Sequence, residues 1–485
     1  MSAIAAHRLA RRTVPVVVPF LVLAATGCGG ATSGAPAAVA SPVAVPLAES
    51  VVQVQRAVAK VWPRTGEIWP GVDFRPHVAL ILDGRDTGWL VSVDRGATPE
   101  KVDAARIAAA KAPVPDKDGY AFGTWEGRHL VSVQARALPD FRTGRPEYDR
   151  LTDAELLFGV ATHELFHDAV QEGGPSGKTW KWPEAEGAAD RAADSYPVDP
   201  DARLRRTLTL NSLVDAYRDP ARRAEKLAAA AYWQHQWEKG APDEARDFRR
   251  LDVSEGTARY FENTAESMAA ADPAAFLRDK VYVPEAFYRP ADRQSYVIGS
   301  AAGTLNTDPQ WKRAVQSGTG DTPLSYLLKG VRPAPQTEPA DVARAVRTGV
   351  HARNAELKPD LQPAVDGYRD TTGPLLLLPA DAMTDGTDFP LSGHFSSPDL
   401  PAGAQLMRSF TGAFTLKSGG TLRLKDVTLL TGLPGLEEYA VLPLAVVKGQ
   451  VVQTSGQVKG TGDRVSGAVG VRASDVTGRK ALIAQ

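Results

Sequence analysis
The chain has 485 residues, 56 of them basic and 57 acidic, with a formal net charge of −1 and one cysteine. This balance excludes the basic footprint of a nucleic-acid partner, and a lone cysteine excludes a disulfide within the molecule. The length accommodates two or three domains of the usual ~100–200 residues.

At the amino terminus His7, Arg8, Arg11 and Arg12 precede an apolar run over residues 14–25. That run is shorter than the ~20 residues a membrane-spanning helix needs, and it suits a secretory signal. Ala25-Thr26-Gly27-Cys28 then resembles a bacterial lipobox, with small residues before the cysteine; Ala25 stands where that pattern usually has Leu. The resemblance implies removal of residues 1–27 and a lipid on Cys28, which anchors a protein without making it span the membrane. Residues 28–46, rich in Ala, Gly, Ser, Pro and Val, read as a flexible tether.

A mixed α/β region is expected over 47–150. Residues 78–82, 89–93 and 130–135 have strand patterns, the last with Val131, Val133 and Ala135 on one face and Ser132, Gln134 and Arg136 on the other. A mainly helical region follows over 151–330. Its periodic helices at 201–217 and 221–237 carry Tyr232, Trp233 and Trp237, which read as bundle core. Residues 331–369 form a linker, with a Pro-rich break at 332–337 and a helix over 339–352. Residues 370–485 turn to short, Gly-rich strands at 414–417, 421–425, 441–447, 451–454 and 466–472, the pattern of a small β-sandwich or barrel. The fold class expected is α+β, with an all-β accessory domain at the carboxy end.

The chemistry concentrates in His163-Glu164-Leu165-Phe166-His167. Histidines at i and i+4 lie on one helix face, where both imidazoles reach one metal ion. Zinc lowers the pKa of a bound water to about 7, and Glu164 is placed to take its proton during attack on a carbonyl. Thr152-Asp153-Ala154-Glu155 reads as a capping box that starts this helix, and Gly173-Gly174-Pro175 as its end. Leu156, Val160, His163, Glu164 and His167 share one helical face. The plain alternative is a pair of hydrogen-bonded core histidines.

A catalytic zinc site needs a third protein ligand. The lengthened metzincin motif would put Gly at 170 and His at 173, where this chain has Val170 and Gly173. Two glutamates remain. Glu255 begins Glu255-Gly256-Thr257-Ala258-Arg259-Tyr260-Phe261-Glu262, which resembles the E-G-x-x-x-Y-x-E stretch of aminopeptidase N-type gluzincins. Eighty-seven residues separate it from His167, a longer gap than in that family, although neprilysin-like gluzincins also place this ligand far downstream. Glu186 follows His167 after 18 residues, the usual gluzincin spacing, with Asp190 four positions on where it would orient a ligating histidine. Glu184, Glu186, Asp190 and Asp194 also read as a solvated acidic face, and Glu255 is preferred. Residues 65–270 are further similar to a group of uncharacterised bacterial exported proteins sharing Trp69-Pro70-Gly71, Gly127-Arg128-His129, the motif helix and the late glutamate stretch.

These resemblances imply a zincin-like core and a zinc metallopeptidase outside the cytoplasmic membrane, acting on a peptide or protein. Zinc would sit on His163, His167 and Glu255, and Glu164 would be the general base. A non-catalytic binding lipoprotein and a zinc hydrolase of a non-peptide amide are the alternatives. His129, at the start of the strand before the motif helix, reads as a surface or packing residue, with substrate binding from an edge strand as its functional alternative. His77, His235, His351 and His394 have no local partners in the sequence that single them out.

Overall fold
The computed structural model describes residues 45–115, 119–143, 145–173, 179–180, 194–386, 393–476 and 478–485. The signal segment 1–27, Cys28, nearly all of the tether, Gly174-Pro175, Glu184, Glu186 and Asp190 lie outside the described residues. The fold is mixed α+β, with an amino-terminal sheet, a helical middle and a carboxy-terminal β region. It divides into two compact units, one of residues up to Thr179 together with Phe261–Val283, the other of Trp180–Tyr260 together with Pro284–Gln485. Glu255 and Glu262 both belong to the helix Arg249–Ala269, seven positions apart in sequence.

The first unit is built on five strands: β1 (Val78–Asp83), β2 (Thr87–Val91), β3 (Glu100–Asp103), β4 (Tyr120–Trp125) and β5 (Arg128–Gln134). Their order is β3-β2-β1-β5-β4, with β1 and β5 parallel and the other pairs antiparallel. The apolar run of β1 is buried on both sides, as a covered sheet requires. Val78, Leu80 and Leu82 join Leu90, Val102, Ile107, Trp125 and Leu130 in one core. The other face is covered by helix Leu47–Val61 and the motif helix Asp153–Phe166.

Two expectations change here. Ser132 and Gln134 of β5 are buried, although their polarity suggested a solvent face. Gln134 clamps the β1–β2 turn instead, accepting from Gly84 N at 2.9 Å and donating to its carbonyl at 3.2 Å. The strand that begins near His129 is also not at the sheet edge, because β4 pairs along its outer side.

In the second unit, helices Pro200–Arg218, Arg223–Gly240, Ala291–Leu305 and the first part of Arg249–Ala269 pack together. Trp233 and Trp237 are buried as expected of bundle core. Arg206 lies 4.3 Å over the Trp237 ring and pairs with buried Asp252 at 2.6 Å. At the crossing with Ala291–Leu305, a Cβ on Gly256 would meet the Gly299 Cα at 2.8 Å, and one on Gly299 would meet the Gly256 Cα at 2.4 Å. Gly256 therefore seats the turn that carries Glu255 against its neighbour helix.

The carboxy-terminal strands include β7 (Leu375–Pro379), β11 (Gly420–Thr431), β12 (Tyr439–Pro443), β15 (Val465–Val476) and β16 (Arg479–Ala484), numbered after β6 (Asp194–Ser195). Pairing runs β11-β12-β7-β16-β15 and returns from β15 to β11, closing a ring, where a small sandwich or barrel was expected. Leu376 and Leu378 point into this ring, with Leu422, Val465 and Leu482. Leu375 and Leu377 face outward onto Leu357, Leu361 and Val365 of a long helix, Ala340–Arg369. That burial carries the helix well past residue 352, through Pro359 and Pro363, which sit exposed so their unpaired carbonyl partners meet water. Within 441–447 the strand ends at Pro443, and a 3₁₀ turn follows over Leu444–Val447.

Candidate metal centre
The motif helix begins as its sequence predicts. The Thr152 hydroxyl accepts from Glu155 N at 3.2 Å, and the Glu155 carboxylate accepts from Thr152 N at 2.7 Å. Every residue from Leu156 to Phe166 is buried, so the helix is enclosed on all sides where one buried face was expected. Behind it stands an aromatic cluster. Phe166 stacks on Phe261 at 4.6 Å between ring centroids and meets Trp69 edge-on at 5.4 Å, while Phe74 lies 5.3 Å from Phe261. Trp62 donates from its indole to Thr162 Oγ1 at 3.2 Å. This packing gives Trp69 of the Trp-Pro-Gly segment, and the phenylalanine inside the motif, a physical reason. They fix the helix that presents the histidines.

At His167 the α-helix loosens into a π turn, His167–Gln171. The wider turn brings Gln171 to its own histidine, and His167 Nδ1 lies 2.7 Å from Gln171 Oε1. His163 Nδ1 lies 2.9 Å from Glu262 Oε2, whose residue is fully buried. A carboxylate only accepts, so the Nδ1 of His163 carries a proton, and in the neutral ring its Nε2 is then the acceptor nitrogen. The Gln171 oxygen asks the same of His167. The two Nε2 atoms face each other at 3.0 Å, within reach of one shared region. With both rings neutral the two nitrogens could donate to one shared cation, and the outer partners on each Nδ1 orient the rings as at metal-binding histidines.

Glu255 completes the group. A carboxylate oxygen of Glu255 and one nitrogen each of His163 and His167 lie within 4.8 Å of one another, and the three could hold a metal ion. His163 is buried, and His167 and Glu255 are half-buried. Glu164 is 9 % exposed, beside the first histidine. The rival Glu186 lies outside the described residues, as does Cys28. His129, His77 and Asp168 form a separate group near the π turn: His129 Nδ1 is 3.1 Å from Asp168 Oδ2, and its ring meets His77 edge-on at 5.7 Å. Burial, with the positive field of His129 second, lowers the His77 pKa to about 4.

The sequence reading missed the roles of Glu262, Gln171 and Tyr148, whose hydroxyl donates to Glu262 Oε1 at 3.2 Å. Glu262 had a signal, since it closes the glutamate stretch seven residues after Glu255, but its partner stands 99 positions away. Gly159 carries the other clue. A Cβ there would lie 2.3 Å from Glu266 Oε1 and 3.0 Å from Glu262 Oε1, so glycine one turn before His163 makes room for both carboxylates. Compared with protein-family models, curated proteins and solved structures, the chain matches none.

Proposed function
We propose that this chain is a zinc-dependent metallopeptidase of gluzincin type with a zincin-like core. In this reading it is exported and held by lipid on Cys28 at the outer face of the cell membrane. The observation that carries the reading is the convergence of His163 Nε2, His167 Nε2 and a Glu255 carboxylate oxygen, with each Nδ1 already engaged by Glu262 or Gln171. Two nitrogens and one carboxylate form the donor set of a catalytic zinc site, which leaves a fourth position open.

When bound there, zinc supplies a Lewis acid that polarises a carbonyl and acidifies water. The protein's own groups do the rest. His163 and His167 are locked in orientation by their outer partners, so the site is formed before substrate arrives. Glu164, between them on the same rigid helix, takes a proton from the attacking water and passes one to the leaving amine. Its burial keeps bulk water from competing for that carboxylate. The apolar wall of Trp69, Phe166 and Phe261 keeps the helix from shifting as charge develops.

The test is hydrolysis of a diverse peptide library by the zinc-loaded protein and by Glu164→Gln. Cleavage by the wild type alone, with equal zinc in both, is the expected outcome. Equal cleavage by both, or none by the wild type, overturns the proposal. Turnover confined to non-peptide amides would keep the zinc site and replace the substrate class.

A further inference from the structure
Glu255 sits on a turn that is held before and after it in the chain. Three residues earlier, buried Asp252 accepts from both terminal nitrogens of Arg206, at 2.6 and 3.1 Å. One residue later, Gly256 meets Gly299 so closely that a Cβ on either would lie 2.8 or 2.4 Å from the other's Cα. Arg206 is itself fixed. It is 1 % exposed, donates to Ser295 Oγ at 3.1 Å, and its guanidinium lies 4.3 Å over the Trp237 ring. The clamp on Asp252 therefore draws on three helices, Pro200–Arg218, Arg223–Gly240 and Ala291–Leu305.

At about 100° per residue, Asp252 and Gly256 lie about 60° and 100° to the same side of Glu255 around the helix axis. Both anchors grip one flank of the helix, and Glu255 stands beside that flank, half-buried. What such a grip fixes is roll. A side chain reaches about 5–6 Å from the helix axis, so a roll of about 10° carries it sideways by about 1 Å. A metal site tolerates only about 0.5 Å. Roll therefore decides whether the carboxylate reaches an ion held by the two histidines. The stability argument points the same way. A buried ion pair adds little net stability, because the desolvation of both charges offsets their attraction. Its bidentate geometry allows one relative orientation of the two side chains, which a lysine ammonium would not impose.

We propose that Arg206 is a positioning residue of the metal centre, which through Asp252 sets the roll of the helix and so places the Glu255 carboxylate beside His163 and His167. The inference rests on the ligand set given above and adds to it the group that holds its third member in place. Arg206 acts through Asp252 and not on the metal itself.

The experiment measures zinc affinity by chelator competition in wild type, in Arg206→Lys, and in a double variant carrying Arg206→Met and Asp252→Leu, each with and without Glu255→Ala. Urea unfolding of the metal-free proteins runs alongside. Apolar replacement of both partners strands no buried charge, so the double variant should keep its fold. Changing a residue that orients a metal ligand typically costs 10–100-fold in affinity. We expect about a 10-fold loss in the double variant and a smaller one in Arg206→Lys, both vanishing in the Glu255→Ala background. A merely structural role would weaken zinc equally in both backgrounds, and that result overturns the inference. Wild-type affinity in the double variant and in Arg206→Lys overturns it as well. If the double variant does not fold, Arg206→Lys decides by the same comparison. A Glu255→Ala affinity equal to wild type, or a wild type that binds no zinc, overturns the ligand set and this inference together.

Discussion
Glu262 offers the sharpest single perturbation of the metal centre. It touches no metal in this arrangement, yet its carboxylate takes the Nδ1 proton of His163 at 2.9 Å and the Tyr148 hydroxyl at 3.2 Å, from a fully buried position. Substituting an outer partner of a ligating histidine typically costs 10–100-fold in metal affinity, or about 1.4–2.7 kcal/mol. Glutamine keeps the shape and one acceptor oxygen but loses the charge, so Glu262→Gln belongs at the lower end, near a 10-fold loss. Glu262→Ala removes an acceptor shared by two buried donors and should also lose about 1–3 kcal/mol of folding stability. Tyr148→Phe removes only the second hydrogen bond, so it should cost about 1 kcal/mol of stability and leave zinc affinity nearly intact. A chelator-competition titration, paired with denaturant unfolding of the metal-free proteins, separates these effects. Zinc affinity unchanged in Glu262→Gln and Glu262→Ala, with only stability altered, would refute the claim that Glu262 tunes His163.

Three further outcomes follow from the packing. Gly159→Ala drives a methyl against the Glu262 and Glu266 oxygens and should destabilise the protein by about 1–3 kcal/mol while weakening zinc; unfolding and metal titration at wild-type values would contradict the packing argument. Thr152→Ala removes the helix cap and should cost about 1 kcal/mol without changing zinc affinity, read by urea unfolding. His77 has a folded pKa near 4, below its ordinary 6.5, so the unfolded chain binds the extra proton in that window. Stability from this group is complete above pH 6.5 and is lost as pH falls toward 4, by up to about 3 kcal/mol. His77→Phe should flatten that part of the stability–pH curve. Asp194, raised to about 6 by burial, works in the opposite sense between its ordinary 3.8 and 6, so the wild-type minus mutant difference is the quantity to measure.

What the sequence could reveal depended on how local each signal was. The capping box and the two histidines use spacings of three and four residues, which one helix fixes by itself, so both were readable. Glu255 was reachable only through a resemblance in its flanking residues, because nothing local ties it to His167. Glu262 and Gln171 were opaque for different reasons. Glu262 acts across a tertiary contact, and Gln171 depends on a π turn that periodicity does not announce. The edge position of β4 was hidden because strand order is a long-range property; a histidine at the head of β5 looks alike at an edge or inside. The helix expected over 339–352 runs on through Pro359 and Pro363, because an apolar stripe from Leu357 to Val365 has a place to bury. The covered face of β5 misled for a related reason. Ser132 and Gln134 are small or self-satisfied enough to be buried, and their polarity alone did not say so.

Anomalous diffraction from zinc-soaked crystals at the zinc edge tests the central claim most directly. The account predicts one strong peak bonded to Nε2 of His163, Nε2 of His167 and a Glu255 oxygen, at about 2.0–2.2 Å from each. A peak bonded to Glu186 in place of Glu255 would contradict the ligand assignment. No peak at His163 and His167 would contradict the metal centre itself.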